Sequence, residues 1–152
     1  MHFYNIIKEL SEDKKLDIFV DMDGVIASYD FGNPLNFKAK RPLNTNIKLF
    51  ENISKLENIN LYILSVCKKD FQIKEKNDWL DKYAPFFKKD NRNILSKETY
   101  TKKTSPELKA EFLYKFKTRN QKVVVDDDNE VLKEVARLNT DIILYQDSEL
   151  ID

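Results

Sequence analysis

The chain has 152 residues, a formal net charge of zero and one cysteine, Cys67. That length allows one domain with a real core, the balanced charge writes no polyanion-binding surface into the bulk composition, and a lone cysteine excludes a disulfide framework and points to a reducing, cytoplasmic setting. No basic leader with an apolar core opens the sequence, no run approaches membrane-spanning length, and His2, the only histidine, excludes chemistry built on a central imidazole or a His-rich metal site.

Residues 1–14 read as a leading helix, with apolar side chains at helical spacing over residues 3–10. Leu16–Val20 is an apolar strand that delivers Asp21-Met22-Asp23-Gly24-Val25 at its C-terminal end. Strand alternation points Asp21 and Asp23 to the same side. Two carboxylates that close repel unless compensated, and a bound divalent cation is the usual compensation. One Asp can then attack phosphorus while the other moves a proton. The competing reading is a strand end with a solvated Asp-Gly turn. Residues 24–42 contain Gly32 and Asn33-Pro34, lack clean periodicity and read as a flap loop. Pro42 and Asn44 start an amphipathic helix with Ile47, Leu49, Phe50, Ile53 and Leu56 on its apolar face. Residues 59–64 form a buried strand that ends at Ser65. Residues 68–83 form a helix with Phe71, Ile73, Trp79, Leu80 and Tyr83 as apolar contacts, and Pro85 stops it. Residues 93–95 make a short third strand. Ser105-Pro106-Glu107-Leu108 opens a helix with Pro near its first position, and Leu108, Phe112, Leu113 and Phe116 supply its buried face. Val123-Val124-Val125 is a fourth strand, too β-branched and too short for a helix, and it ends in Asp126-Asp127-Asp128. A helix over residues 129–138 and a strand over residues 142–145 complete the chain. There are no repeats, no low-complexity tract and no linker, so residues 1–152 read as a single domain.

Strands alternating with helices predict an α/β, Rossmann-like three-layer fold with a parallel five-stranded sheet. In the order 3-2-1-4-5, the first and fourth strands are neighbours at the switch point, beyond whose carboxyl ends ligands bind. This order brings Asp21 and Asp126-Asp127 together, although they are far apart in sequence.

Asp21-x-Asp23-Gly24-Val25 after an apolar strand resembles the first motif of the haloacid dehalogenase (HAD) superfamily, which consists mostly of Mg²⁺-dependent phosphatases. The resemblance implies that Asp21 is the nucleophile and forms an aspartyl-phosphate, and that Asp23 is the general acid and base. The apolar strand followed by Asp126-Asp127 resembles the fourth motif. It implies Mg²⁺ held by Asp21, by the Asp23 backbone carbonyl and by one of Asp126 or Asp127; an acidic helix cap by Asp127 or Asp128 is compatible with this. Ser65 stands where the second motif places a hydroxyl on the transferring phosphoryl group, the alternative being an ordinary strand-end serine. The third motif calls for a cation against phosphoryl charge. Lys109 fits best, Lys103 second and Lys76 third, and each is also readable as a solvated surface charge. About forty residues separate Asp23 from Ser65, which leaves room for a flap but for no cap domain.

The segment Asp21 to Ala27, the Trp79-Leu80-x-Lys82-Tyr83 helix and Val124-Val125-Asp126-Asp127 are similar to the 5′(3′)-deoxyribonucleotidases. The run from Asn33-Pro34-Leu35 through Lys109 to Asp127 also resembles the phosphatase domain of polynucleotide kinase-phosphatases. Both groups commonly carry Arg after the Asp-Asp pair; Asp128 stands there instead and adds a negative charge. These likenesses imply a phosphomonoesterase for a small phosphorylated substrate, a nucleotide, with Ser65, Arg41 and Lys103 as substrate contacts. The alternative is a 3′ or 5′ nucleic-acid end, which a basic surface from Lys38, Lys40, Arg41, Lys68, Lys69, Lys102 and Lys103 would favour. Tyr29, Phe31, Phe37 and Arg41 can stack on a base and contact a phosphate, or the aromatics can pack the flap down. A non-catalytic HAD-like binding module is the reading outside enzymes. A phospho-receiver domain is excluded, because its phosphorylated Asp ends the third strand and here Ile94-Leu95-Ser96 does.

Overall fold

The computed structural model describes residues 2–29 and 36–151. At its centre lies β1 (Leu16–Val20), in which every residue is buried. It pairs in parallel with β2 (Ile59–Cys67) on one side and β4 (Gln121–Asp126) on the other. β3 (Arg92–Ser96) and β5 (Ile143–Gln146) are the edges, giving the order β3-β2-β1-β4-β5. This is the expected α/β, Rossmann-like sheet, and no cap domain is present among the described residues.

Alternation along β1 explains the three layers. Leu16, Ile18 and Val20 join a core with Phe3 and Ile7 of α1 (His2–Asp13), Phe50 and Ile53 of α2 (Asn44–Ser54), and Trp79 and Leu80 of α3 (Phe71–Tyr83). Phe19 points the other way, among Ala110 and Leu113 of α4 (Ser105–Lys115) and Val131 and Val135 of α5 (Asn129–Leu138). The chain moves outward from β1 through β2 to β3, then returns to β4 and moves outward again to β5. Parallel crossovers keep one hand, so this reversal places α2 and α3 on one face and α4 and α5 on the other. Burying each large apolar side chain contributes roughly 1.5–3 kcal/mol, which fixes the register that carries Asp21 and Asp126 to the same sheet edge.

β2 runs beyond the expected end to Cys67, because Ser65, Val66 and Cys67 still pair with Ile94, Leu95 and Ser96 of β3. α4 starts at Ser105 as expected, and the structure adds a cap from Thr104. The Thr104 hydroxyl accepts from the Glu107 amide while the Glu107 carboxylate accepts from the Thr104 amide, a reciprocal cap, and Pro106 lies in its first turn. No helix among the described residues is long and apolar enough to cross a membrane.

Candidate active site

The site begins where β1 stops. The Asp21 amide still donates to the Val125 carbonyl at 3.0 Å, so Asp21 leaves the sheet held against β4. The chain then closes a tight turn: the amides of Val25, Ile26 and Ala27 all donate to the Met22 carbonyl, at 3.1, 3.0 and 2.9 Å. Asn46 Nδ2 of α2 anchors this turn by donating to the Val25 carbonyl at 2.7 Å. Gly24 sits in it at φ +82°, in the left-handed region that a Cβ disfavours. A Cβ built there would also lie 2.1 Å from Asp127 Oδ2 and 2.6 Å from its Cγ. Glycine is therefore what lets the two acidic segments close on each other.

Asp126 ends β4, 1 % exposed. Its Oδ1 accepts from the Asp128 amide at 3.0 Å and its Oδ2 accepts from Lys109 Nζ at 2.7 Å. Lys109 reaches from α4 to Asp21 Oδ1 as well, at 2.9 Å. One buried ammonium thus ties the ends of β1 and β4 together. Asp21, Asp126 and Asp127 each offer an oxygen, all within 4.8 Å of one another. Asp128 stands apart: its carboxylate accepts from the Glu130 amide and caps α5.

Three carboxylates around one ammonium leave surplus negative charge in a desolvated place. Burial pushes the Asp21 carboxyl up to about 6, against the pull of Lys109 and with Asp126 and Asp23 adding to the rise. Burial also raises Asp127, to about 7, and the neighbouring Asp21 charge adds to it. Asp126 is raised by burial too. Burial alone would lower Lys109, but Asp21 and Asp126 outweigh it and keep the ammonium charged. An all-oxygen donor set with excess negative charge fits a hard divalent cation.

On the other side of Asp21 the charges reverse. Ser65 is fully buried at the end of the β2 core, and its Oγ accepts from Lys76 Nζ at 2.6 Å. Lys76 also donates to the Val66 carbonyl and pairs with Asp23 Oδ2, at 3.1 and 3.2 Å. Lys40 pairs with Asp23 Oδ1 at 2.5 Å. Burial would raise the Asp23 carboxyl, but Lys76 and Lys40 together hold it below the usual carboxylate range. The Lys40 segment is pinned to α3, because its carbonyl accepts from Trp79 Nε1 at 3.0 Å and Phe37 packs edge-on to the Trp79 ring.

Asp21, Asp23, Ser65, Lys109, Asp126 and Asp127 thus come together as the sequence suggests. Two expected substrate contacts do not. Lys103 pairs with Glu111 of α4 and lines a separate groove with Leu95, Tyr100 and Phe112, so the acid eight residues on, rather than the site, takes its charge. Arg41 is exposed, its backbone is bonded to Ser28, and it lines neither cavity at the acids. Of the flap aromatics, Phe37 is buried and packs the loop down, Tyr29 is 59 % exposed at the site, and Phe31 lies outside the described residues. Lys76, ranked third from sequence, and Lys40, read there as surface charge, are the residues that sequence reasoning underrated.

No protein-family model matches this chain, and no curated protein does. A chain in a structure of the Pnkp1/Rnl/Hen1 complex is similar to it with a TM-score of 0.69 and 17% identity, covering 88% of this chain and 46% of that one. A chain in a structure of the Pnkp1/Rnl/Hen1 RNA repair complex is similar with a TM-score of 0.66 and 16% identity, covering 88% of this chain and 42% of that one. The likeness is one of fold. This chain spans less than half the length of either.

The turn at Gly24 yields a direct expectation. Gly24→Ala should cost about 1–2 kcal/mol through the left-handed backbone and swing Asp127 away from Asp21. Divalent-cation affinity, followed by Mn²⁺ titration, should fall on the order of tenfold or more. Unchanged affinity would mean that Asp127 is not a ligand.

Proposed function

We propose that the chain is a phosphomonoester hydrolase that uses a divalent cation, Mg²⁺, and works through an aspartyl-phosphate on Asp21. The observation that carries this reading is the Lys109 bridge from Asp21 to Asp126 beside Asp127, at the switch point of the sheet. An acidic helix cap alone would account for Asp128 and leave the other three carboxylates without a purpose. Asp21, Asp126, Asp127 and the Asp23 backbone carbonyl would hold the cation, which when bound offsets charge on the phosphoryl oxygens and the nucleophile.

In the first step an Asp21 carboxylate oxygen attacks phosphorus, the bond to the ester oxygen breaks, and Asp23 gives its proton to the departing alkoxide. In the second, Asp23 takes a proton from water, the resulting hydroxide attacks the phosphoryl group, and inorganic phosphate leaves with Asp21 restored. Ser65, Lys76 and Lys109 bind the phosphoryl oxygens. The two lysines on Asp23 suit the second step, where a carboxylate base is needed. For the first step Asp23 takes up a proton from solvent, which an incoming phosphate dianion favours by competing for Lys40 and Lys76 and loosening their hold. The substrate class is nucleotides or nucleic-acid ends: the first follows the motif likeness to deoxyribonucleotidases, and the fold likeness to chains from an RNA repair complex favours the second.

The test is phosphate release from mononucleotides, phosphosugars and 3′- and 5′-phosphorylated oligonucleotides, in Mg²⁺ and in EDTA. Mg²⁺-dependent release supports the enzyme, and the best substrate chooses between the two classes. A folded protein that binds Mg²⁺ and releases phosphate from none of them would turn the reading to a binding module.

Cation binding should depend on pH in a defined way. The cation needs Asp21 and Asp127 ionised, and their carboxyls titrate near 6 and 7. Apparent Mg²⁺ affinity should therefore be constant above about pH 7.5, fall with a slope of about one per pH unit toward 6, and steepen toward two below it. Calorimetric titration across this range measures it. A flat profile down to pH 5 would place the cation elsewhere.

A further inference from the structure

Two cavities of opposite charge meet at Asp23. The first, of about 690 Å³, contains Asp21, Asp126, Asp127 and Lys109. The second, of about 220 Å³, is lined by Lys40, Lys68, Lys76 and Lys97 with Asp23 as its carboxylate, and its walls include Tyr29 and Phe37. Asp23, Tyr29, Val66 and Ser105 belong to both. Lys40 and Lys76 are 7 % and 2 % exposed. Both are held by Asp23, Lys40 also by the Ser28 carbonyl and Lys76 also by Ser65 Oγ and the Val66 carbonyl. Lys68 and Lys97 have no ion-pair partner among the described residues. Of the acids on adjoining turns, Glu98 pairs with Lys69 and Asp70 accepts from Ser96 Oγ.

We infer that the alcohol leaving from the substrate itself carries a second phosphate, which sits in the lysine-lined cavity. This inference rests on the proposed hydrolysis, because the role of Asp23 as proton donor is what makes the cavity opening from it the leaving-group side. In an in-line displacement the nucleophile and the leaving oxygen lie on opposite sides of phosphorus. Asp21 marks one side with the acidic cavity, and Asp23 marks the other with the basic cavity. A neutral alcohol would leave Lys68 and Lys97 without a counter-charge among the described residues. A phosphorylated one offsets them, and Tyr29 stands at the cavity wall with Lys40 Nζ 5.6 Å from its ring centroid. The chemistry is that of a nucleoside bisphosphate, or of a terminal phosphate followed by a phosphodiester at a nucleic-acid end.

Equilibrium binding to the Asp21→Asn protein in Mg²⁺ tests this without turnover. The probes are adenosine 3′- and 5′-monophosphates, adenosine 3′,5′-bisphosphate and a 3′-phosphorylated trinucleotide. At least one of the two probes that carry a second phosphate group should bind ten times or more tighter than either monophosphate. The preference should shrink toward one when Lys68→Gln and Lys97→Gln are added together, whereas a purely structural effect would weaken all probes alike. Which of these two probes keeps the preference separates the free bisphosphate from the nucleic-acid end. Equal binding of all probes, or a preference that survives loss of both lysines, overturns the inference. Phosphate release by the unaltered protein reports separately on hydrolysis: no release, with the binding preference intact, would discard the phosphatase reading and keep the second phosphate site.

Discussion

Asp21→Asn is expected to abolish phosphate release and at the same time to stabilise the cation-free protein. The first effect follows from the covalent step. An amide cannot serve as the attacking oxyanion, and loss of a nucleophile lowers kcat on the order of 10⁴ or more. The second follows from electrostatics. The carboxyl of Asp21 titrates near 6 against a usual value of 3.8, so keeping it ionised in the fold costs up to roughly 3 kcal/mol. Its pKa is raised in the folded state. The cost is therefore absent below about pH 4, where both states are protonated, grows through the interval to 6, and is complete above it. An isosteric neutral side chain removes much of that cost, worth on the order of 1–3 kcal/mol and a few degrees in Tm at pH 7.5. Melting curves in EDTA at pH 7.5 and pH 4 measure both the gain and its disappearance. Activity within tenfold of the unaltered protein would rule out the covalent step. A lower Tm at pH 7.5 would show that Lys109 already neutralises Asp21, and the case for surplus charge would fail.

The sequence announced the half of this site that sits on regular structure. Ile18-Phe19-Val20 of β1 and Val123-Val124-Val125 of β4 are apolar runs ending in acids, and the crossover rule makes the two strands neighbours. Lys109 was within reach because Ser105-Pro106-Glu107 fixes where α4 starts, which fixes the turn on which the lysine falls. The end of the apolar run points to Ser65, although β2 continues two residues beyond it through pairing with β3. Lys76 was the harder case. In α3 the buried stripe is Gln72, Lys76, Trp79 and Leu80, and Phe71, expected as a contact, is 53 % exposed. Two polar residues on the inward stripe hid its true phase, yet a lysine at i+4 from Gln72 and i−3 from Trp79 was a legible sign of a buried charge. Lys40 carried no local sign. Its place depends on the Trp79 bond to its carbonyl, across 39 positions of sequence, and a loop without periodicity offers no phase from which to infer it. Lys103 pairs with Glu111 eight residues on, and Arg41 is exposed with its backbone bonded to Ser28, so neither side chain is placed by a local sequence pattern.

Lys109→Met should have the opposite sign to Asp21→Asn, though the two residues form one ion pair. Lys109 is 4 % exposed and bonds Asp21 and Asp126 at 2.9 and 2.7 Å. Removing the ammonium leaves the largely buried Asp21 and Asp126, with Asp127 beside them, paired with no other described cation. Truncating one partner of a buried pair in this way costs about 3–5 kcal/mol. Methionine fills the space of the stem, so little of the loss can be assigned to a cavity. The penalty should shrink as pH falls from 7.5 to 5.5, because the carboxyls of Asp21 and Asp127, raised to about 6 and about 7, are by then largely protonated. Mg²⁺ should recover part of it at pH 7.5. Turnover should fall roughly 10²–10³-fold through loss of charge on the phosphoryl side. Urea unfolding in EDTA at the two pH values, repeated in Mg²⁺, separates these contributions. If Lys109→Met is as stable as the unaltered protein at pH 7.5 in EDTA, the three carboxylates are screened by solvent, and the electrostatic reason for placing a cation among them is gone. If the variant loses stability while Asp21→Asn gains it, the cluster holds more negative charge than its own lysine can offset, as a site built to receive a divalent cation must.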